Sequence, residues 1–483
     1  MKKKLILASA FVLALSVGGL ASCGGDNQRT TSDELYICVY DGGYGREWID
    51  QIASDYETKT GVKVNVTMDS SVLDKLESQL RDGSDYDIYM SHDINWKSFA
   101  ASGYLANLDD LYSSTVEGTG KTFEQRLTSS AVQNSKTEGE DGTEHFYKVC
   151  YTQGAGGLVY NVDLFEQNGW SIPTTYDELV QLCKTISETE IPGGDRGETY
   201  SPFAWSGADR QYYWDYLVFP WWYELAGESK INTILQYKGE DGKYATGYEM
   251  YNPDTYNKEF IEAYNMWYNL IATSTNHNSI DNAYSGNLLS AQSAFYSGKA
   301  AMIPYGQWAQ YEITNAKKSD LGFKIKMMKT PRAKSTSSTY YNYNVGFGDS
   351  IIVPSNSPSI DKAKDFLRYM ATYDACKTFV KKSQGAFLAF DYSDIDLELT
   401  SEDTYIQSIY SLLTECKNFN LLSDNDITYW NTNTVMPWIQ NVYYYQNACS
   451  KPDEYTPSIV GNKIYTAAKN GWSSWLRNAG LKD

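Results

Sequence analysis

The chain has 483 residues, of which 60 are acidic and 41 are lysine or arginine, and its formal net charge is −19. This length allows two or more ordinary domains, each with its own hydrophobic core. Such an acidic protein repels the phosphates of nucleic acids and of anionic lipids, and no basic stripe offsets this repulsion, so we exclude a nucleic-acid partner. The charge suits a neutral or cationic ligand better than an anionic one.

The N-terminus has the pattern of an export signal. Three lysines at positions 2–4 precede an apolar run over residues 5–17, which is too short for a good membrane span, and Leu20-Ala21-Ser22-Cys23 ends it. This ending is similar to the bacterial lipobox, in which the cysteine is lipidated and becomes the first residue; an ordinary signal peptide with a chance cysteine is the alternative. We predict a signal peptide over residues 1–22, a polar tether over 23–32, and a body outside the cytoplasm that lipid on Cys23 anchors to the membrane. Loss of the three lysines takes the net charge from −19 to −22.

The remaining cysteines and the histidines carry no pattern of a metal or cofactor site. Six cysteines follow Cys23, none in a C-x-x-C pair, and the sequence does not choose among their disulfide pairings. Cys38 and Cys183 lie on apolar faces and are expected in the core. We therefore predict no metal and no cofactor.

In chain order, the first segments alternate between strand and helix patterns. Residues 35–40, 61–66 and 85–90 have the composition of strands, and residues 46–56 and 72–80 place apolar residues on one helical face. This β-α-β-α-β order predicts a mainly parallel sheet with helices on both faces. Ligands bind at the carboxyl ends of strands in such sheets, which here are residues 41–45, 68–71 and 91–96.

The middle of the chain alternates structured and polar segments. Residues 113–145 are polar and predict a surface excursion, and residues 228–256 predict a loop insertion. Thr175 and Glu178 form a capping-box pattern before a helix with one apolar side. Residues 205–223 are dense in aromatic side chains, and residues 294–308 predict a helix end, a strand and a turn.

Glycines mark the points where the chain bends. Gly154, Gly156 and Gly157 precede a short apolar strand over residues 158–160, and a second pair, Gly346 and Gly348, lies within another predicted strand. We predict that these five glycines form hinge segments beside a ligand cleft.

Four segments, in this order, resemble a known family. They are Asp87-Ile-Tyr-Met-Ser-His-Asp93 with residues 101–106, Gly157-Leu-Val-Tyr-Asn-Val-Asp-Leu-Phe165 with 173–179, Phe295-Tyr-Ser-Gly-Lys-Ala-Ala-Met302 with Gly306-Gln-Trp308, and Ile351-Ile-Val-Pro-Ser355 with 363–367. Together they are similar to the substrate-binding lipoproteins of carbohydrate ABC importers, the extracellular solute-binding group that includes maltose-binding protein.

The resemblance implies an α/β, two-lobed periplasmic-binding-protein-like fold, each lobe a mainly parallel sheet flanked by helices, with several hinge crossings. Carried onto this chain, the crossings fall near residues 153–157, 346–350 and 386–393. Lobe I is then 33–153 plus 349–390, and lobe II is 154–348 plus 391–483. It also implies a sugar or oligosaccharide ligand, ABC permease subunits as partners, and a monomer that closes over its ligand.

Candidate ligand contacts combine flat rings, which stack on sugar faces, with polar groups that bind hydroxyls. Trp308 matches the family's stacking tryptophan, with simple packing as the alternative, and Asp93 matches a family carboxylate, with a helix N-cap as the alternative. The residues before His92 are Met90 and Ser91, without the family's tryptophan, so maltose specificity is in doubt. The other candidates, chosen from cleft-facing loops and aromatic segments, are Asp41, Tyr44, Ser70, Ser71, Trp205, Tyr213, Trp214 and Trp430.

Two other classes of function remain open. An exported carbohydrate-processing enzyme would need two essential carboxylates, and 60 acidic residues provide many pairs. A surface adhesion lipoprotein would lack a buried cleft. The three histidines form no triad or metal pattern, so we predict a binding protein and not an enzyme.

Overall fold

A computed structural model of the chain describes residues 34–274, 278–346, 349–420, 439, 444–478 and 481. The predicted signal peptide, the tether with Cys23, Gly348 and Trp430 lie outside the described residues.

Fifteen strands are described. In chain order they are β1 Glu34–Val39, β2 Lys63–Met68, β3 Ile88–Ser91, β4 Lys136–Glu138, β5 Glu144–Phe146, β6 Val149–Cys150, β7 Thr152–Gln153, β8 Gly156–Asn161, β9 Ser201–Phe203, β10 Ala300–Gly306, β11 Ile325–Met328, β12 Tyr341–Tyr343, β13 Ser350–Ile352, β14 Phe387–Leu388 and β15 Lys417–Phe419.

The α-helices of the described residues are α1 Glu47–Thr60, α2 Val72–Asp82, α3 Trp96–Ala101, α4 Asp109–Ser113, α5 Phe123–Arg126, α6 Ser129–Gln133, α7 Val162–Asn168, α8 Tyr176–Ser187, α9 Asp215–Ala226, α10 Glu228–Leu235, α11 Lys258–Trp267, α12 Leu288–Tyr296, α13 Ala309–Lys317, α14 Ile360–Met370, α15 Tyr373–Lys382, α16 Thr404–Glu415, α17 Tyr445–Ser450 and α18 Pro457–Asn478. Short 3₁₀ turns cover Gln211–Trp214, Tyr244–Tyr251, Ala283–Ser285 and Pro452–Glu454, and a π-helical turn, Tyr268–Ala272, continues α11.

The first sheet has the order β2-β1-β3-β13-β6. Strands β1, β2 and β3 are parallel, and α1 and α2 connect them, which confirms the predicted β-α-β-α-β unit. Strand β13 joins β3 antiparallel, and β6 pairs antiparallel with β13 and so runs in the direction of β1–β3. The carboxyl ends of β1 and β3 therefore lie side by side at one edge of this sheet.

The second sheet has the order β15-β12-β8-β10-β9, and β11 also pairs with β8. Strand β8 is antiparallel to β10, β11 and β12, whereas β9 and β15 pair in parallel with β10 and β12. This mixed sheet differs from the mainly parallel sheet expected here, because late segments of the chain return beside β8 in the reverse direction.

Two predicted loop regions are wrong. Residues 113–145 contain α5, α6 and a small hairpin, and Phe123 and Arg126 are fully buried. The guanidinium of Arg126 donates from Nε to the carbonyl of Ala371 at 3.0 Å and from Nη1 to that of Asp391 at 2.6 Å, which makes its burial tolerable. Residues 228–256 contain α10 and a 3₁₀ turn instead of a plain loop.

Helix α8 shows how closely the local pattern determines structure. Thr175 accepts a hydrogen bond from the backbone N–H of Glu178, as its N-cap position predicts. The Glu178 carboxylate instead accepts from Thr174, one residue before the N-cap. The predicted apolar side is confirmed as buried: Leu179, Leu182, Cys183 and Ile186.

The described parts of the three predicted crossing segments contact one another, since Gly346 lies against Thr152. Strand β7 pairs with β14, and the side chains of Asn342 and Asn344 hydrogen-bond the carbonyl and N–H of Gly154. Gly154, Gly156, Gly157 and Gly346 do not have positive φ. Glycine is needed at three of them for close approach, because a Cβ on Gly154 would collide with Gln307, one on Gly156 with the ring of Tyr216, and one on Gly346 with Thr152.

The six cysteines from Cys38 to Cys449 are unpaired, and Cys38 and Cys183 are buried as expected. Within the described part of the chain, no helix has the length and apolar character needed to cross a membrane.

Candidate functional site

A cavity of about 640 Å³ lies where the carboxyl ends of β1 and β3 face the second sheet. Its first wall, which we define as the lining residues on the side of the first sheet, is Tyr40, Gly42, Gly43, Tyr44, Ser91, His92, Asp93, Tyr151 and Asp349. Its second wall, on the side of the second sheet, is Arg210–Tyr213, Asp215, Tyr216, Phe219, Trp308, Glu312, Tyr343, Val345, Asn420, Tyr444 and Tyr445.

The loop after β3 places two titratable side chains on the first wall. His92 lies edge-on to Tyr40, with ring centroids 4.3 Å apart, and its Nδ1 is 3.0 Å from Oδ2 of Asp93. Asp93 has φ 53°, a left-handed conformation that is uncommon for a residue other than glycine. Such strained backbone often occurs at functional sites, where the surrounding structure holds it.

A polar network joins the first wall to the crossing segments. Thr152 donates to Asp349 at 3.0 Å, and the hydroxyl of Tyr44 lies 3.4 Å from the same carboxylate. From the other side, Gln307 donates to the Tyr44 hydroxyl at 3.2 Å. Burial raises the pKa of Asp349 to about 6, although the nearby His92 and the Thr152 hydrogen bond favour its ionised form.

A continuous row of aromatic rings forms most of the second wall. Trp308 donates from Nε1 to the hydroxyl of Tyr213 at 3.3 Å. The rings of Tyr213 and Tyr216 stack at 5.3 Å and 24°, and those of Tyr216 and Tyr343 stack at 5.8 Å and 22°. The row offers a broad, flat, apolar surface with hydroxyls at its edges.

Charged groups interrupt this row at two places. The Glu312 carboxylate accepts a hydrogen bond from Tyr305 at 2.5 Å, and burial raises its pKa above the ordinary value while Arg210 opposes that effect. Asp215 accepts from the Tyr445 hydroxyl at 2.6 Å.

The two walls touch at Gly43. A Cβ on this residue would lie 2.7 Å from Cβ of Trp308 and 2.9 Å from Oε1 of Glu312. Glycine at this position therefore permits the close approach of the walls.

Four of the sequence-predicted ligand residues line the cavity together: Tyr44, Asp93, Tyr213 and Trp308. The cavity does not include Asp41, Ser70, Ser71, Trp205 or Trp214, so their predicted contacts stay predictions. Among these, Trp205 donates to Ser279 at 2.8 Å in the core, and Trp214 is fully buried beside it. Ser71 instead hydrogen-bonds Asp69 at the surface. Trp430 lies outside the described residues.

Sequence reasoning did not propose several lining residues, notably His92, Arg210, Tyr216, Glu312, Tyr343 and Asp349. Two of them had a usable signal, because His92 adjoins Asp93 and Tyr216 lies one helical turn after Tyr213. Asp349 and Tyr343 had none, since only the packing of distant segments brings them to the cavity. In the part of the chain that the structure describes, no group of three potential metal ligands occurs.

An aromatic and carboxylate-lined cavity between two α/β lobes defines a two-lobed solute-binding fold. The family model for bacterial extracellular solute-binding proteins matches residues 42–375, and the chain belongs to this family. This match confirms the family that the sequence resembles, whose proteins are extracytoplasmic.

Curated relatives and solved structures are similar to this chain. The diacetylchitobiose binding protein DasA of Streptomyces coelicolor is 27% identical over 200 residues, which span 39% of this chain and only 44% of DasA. The multiple sugar-binding protein of Streptococcus mutans is 22% identical over 333 residues, 68% of this chain and 69% of that protein. The structure of RafE, a protein of Streptococcus pneumoniae, in complex with raffinose shares the fold, with a TM-score of 0.63, 18% identity and coverage of 90% of this chain and 99% of RafE.

Proposed function

We propose that this protein is the sugar-binding component of an ABC importer. It captures a sugar or oligosaccharide in the cavity between its lobes and delivers it to permease subunits in the membrane. The observation that carries this proposal is the ring row of the second wall, which faces the hydrogen-bonding groups of the first wall across one cavity.

Sugar chemistry fits this pairing of walls. A pyranose ring has a weakly apolar face, which stacks on a ring such as Trp308, and a rim of hydroxyls, which carboxylates and amides bind. A volume of about 640 Å³ is within the usual range for small-molecule sites. The names of the similar proteins, a diacetylchitobiose binding protein and a multiple sugar-binding protein, together with the raffinose complex of RafE, support a carbohydrate over other solutes.

Closure follows from having contacts on both walls. A ligand that touches both binds the closed form more tightly and shifts the population toward it. In this proposal lobe I is 33–153 plus 349–390, lobe II is 154–348 plus 391–483, and Gly154, Gly156, Gly157, Gly346 and Gly348 lie on the moving crossings. The protein acts as a monomer, and lipid on Cys23 holds it at the membrane.

A thermal-unfolding screen against sugars tests the proposal. The panel contains N,N′-diacetylchitobiose, cellobiose, maltose and raffinose, and a peptide and a polyamine serve as controls. A bound sugar at about 100 times its dissociation constant should stabilise the protein by roughly 2.7 kcal/mol.

Chromatography of the sugar after incubation separates the proposal from an enzyme. A binding protein returns the sugar intact, and cleavage would favour the carbohydrate-processing alternative. A melting temperature that no sugar raises would contradict the proposed function.

A further inference from the structure

His92 lies on the first wall, and of its two ring nitrogens Nδ1 already has a hydrogen-bond partner. Its side chain keeps 40% of its surface exposed, and its edge contact with Tyr40 fixes the plane of the ring. Within the described residues its one hydrogen bond joins Nδ1 to Asp93 at 3.0 Å. Because His92 lines the cavity, its Nε2 remains available to a ligand there.

The Asp93 carboxylate determines which nitrogen carries the proton. An ionised carboxylate can only accept hydrogen bonds, so Nδ1 must be the donor in both charge states of the imidazole. When His92 is neutral, Nε2 is then an acceptor; when it is charged, Nε2–H is a donor. Protonation of this one residue reverses the hydrogen-bonding character of the first wall.

Nearby charges favour the donor state. Burial lowers the pKa of His92, but the hydrogen bond and charge of Asp93 and the charge of Asp349 outweigh burial and raise this pKa above its ordinary value. Arg210, Asp215 and Glu312 face the same cavity from the second wall. Two carboxylates on its own wall thus stabilise the charged form of the ring.

We propose that His92 is a specificity-determining residue of the sugar site, and that its Nε2–H donates to a ligand oxygen that can only accept, such as the carbonyl of an acetamido group. This inference rests on the proposed function. A hydroxyl rotates to suit either state of Nε2, so a sugar with only hydroxyls gains little selectivity from His92. A carbonyl oxygen loses its partner when Nε2 becomes an acceptor.

Two β-linked disaccharides that differ in their acetamido groups provide the test. The dissociation constants of N,N′-diacetylchitobiose and cellobiose are measured by calorimetry between about pH 5.5 and pH 8.5. We expect diacetylchitobiose to bind more weakly as the pH rises through the pKa of His92, because the Nε2–H donor is lost. Cellobiose should show a flatter profile.

The variant His92→Phe keeps the ring and removes both nitrogens. It should weaken diacetylchitobiose binding about tenfold, the usual effect of losing a hydrogen bond from a charged donor, and flatten the pH profile. His145→Phe is the matched control, because His145 also bonds a carboxylate through Nδ1, that of Asp109 at 2.6 Å, but does not line the cavity.

Nitrogen NMR of the imidazoles gives a readout that a purely structural role would not move. The chain has three histidines, so His92→Phe assigns the His92 signals directly. Diacetylchitobiose should shift the His92 Nε2 signal and raise the pKa of that ring while leaving His145 unchanged. If the sugar binds without moving His92, and His92→Phe binds like His145→Phe, this inference fails and the sugar site stands. If no sugar binds, the proposed function fails and this inference with it.

Discussion

The two walls of the cavity are built by different means. The first wall is short loops after parallel strands, and a hydrogen-bond network through Tyr44, Thr152 and Asp349 fixes it. The second wall is a row of rings from Trp308 to Tyr343, in which Trp308 meets Tyr213 edge-on and Tyr213, Tyr216 and Tyr343 stack. The first wall therefore supplies mainly directed hydrogen bonds, and the second supplies mainly contact area.

This difference predicts how substitutions in each wall affect sugar binding. Removal of a large ring takes away contact area that its neighbours cannot replace, and such anchors dominate binding energy. Removal of one polar group from a network leaves other donors and acceptors in reach, so its loss should be smaller and should depend on pH.

Trp308→Ala should have the largest effect on binding. It removes the ring that contacts both walls, and we expect at least about a hundredfold weaker sugar binding, or roughly 3 kcal/mol. The side chain is only partly buried, so the melting temperature without sugar should change little. Calorimetry measures the affinity. Trp308→Phe keeps a smaller ring, so its affinity should lie between those of the wild type and Trp308→Ala. Wild-type affinity in Trp308→Ala would show that the ring row does not hold the sugar.

Gly156→Ala should displace the ring of Tyr216, and with it the ring row of the second wall. Its Cβ would lie 2.5 Å from Cγ of Tyr216, so that ring must move toward the cavity, at a cost of about 2 kcal/mol in unfolding free energy. Gly157→Ala is the matched control, because its Cβ would meet Sδ of Met327 at an ordinary 3.4 Å. Urea unfolding and sugar titration of both variants measure the difference. Equal behaviour would mean that Gly156 does not set the position of the row.

Asp349→Asn should change the free energy of unfolding in the opposite direction to Gly156→Ala: it should stabilise the protein near neutral pH. A carboxyl whose pKa is about 6 in the folded protein and about 3.9 when unfolded binds more protons in the folded state between these values. Its stabilising contribution is therefore present at low pH and declines as the pH rises toward 6. The asparagine variant lacks this penalty, which the difference between the two pKa values sets at no more than about 3 kcal/mol, and it should be more stable at pH 7, with the difference vanishing below about pH 4.

Unfolding free energies of wild type and Asp349→Asn across this pH range give the measurement, since the other carboxylates are common to both. An asparagine variant that is less stable at pH 7 would mean that the network stabilises the ionised carboxylate more than burial destabilises it.

The position of the first wall was predictable from the sequence, whereas the second wall was predicted only in part, at Tyr213 and Trp308. Tyr44 follows from the strand-helix-strand pattern, because parallel strands bring their carboxyl ends to one edge, and Asp93 follows from the family resemblance. The sequence shows that the segment after residue 205 is rich in aromatic residues, but it does not show which of them face the cavity and which pack in the core. Tyr213 faces the cavity whereas its neighbour Trp214 packs in the core, since a 3₁₀ turn directs adjacent side chains apart.

Long-range packing accounts for the remaining misses. Asp349 reaches the cavity because β13 returns to the first sheet, and Tyr343 because β12 pairs with β8. No local pattern records either event. The same holds for residues 113–145, where buried apolar residues are few among polar ones and become evident only through what they contact.

We propose that one sugar bridges these two walls. A crystal structure of the protein with the sugar that binds most tightly in the screen tests this bridging most directly. We expect a pyranose face against Trp308 and polar substituents directed toward Asp93 and Asp349. A sugar bound outside the cavity, or held by one wall with the other untouched, would contradict the claim.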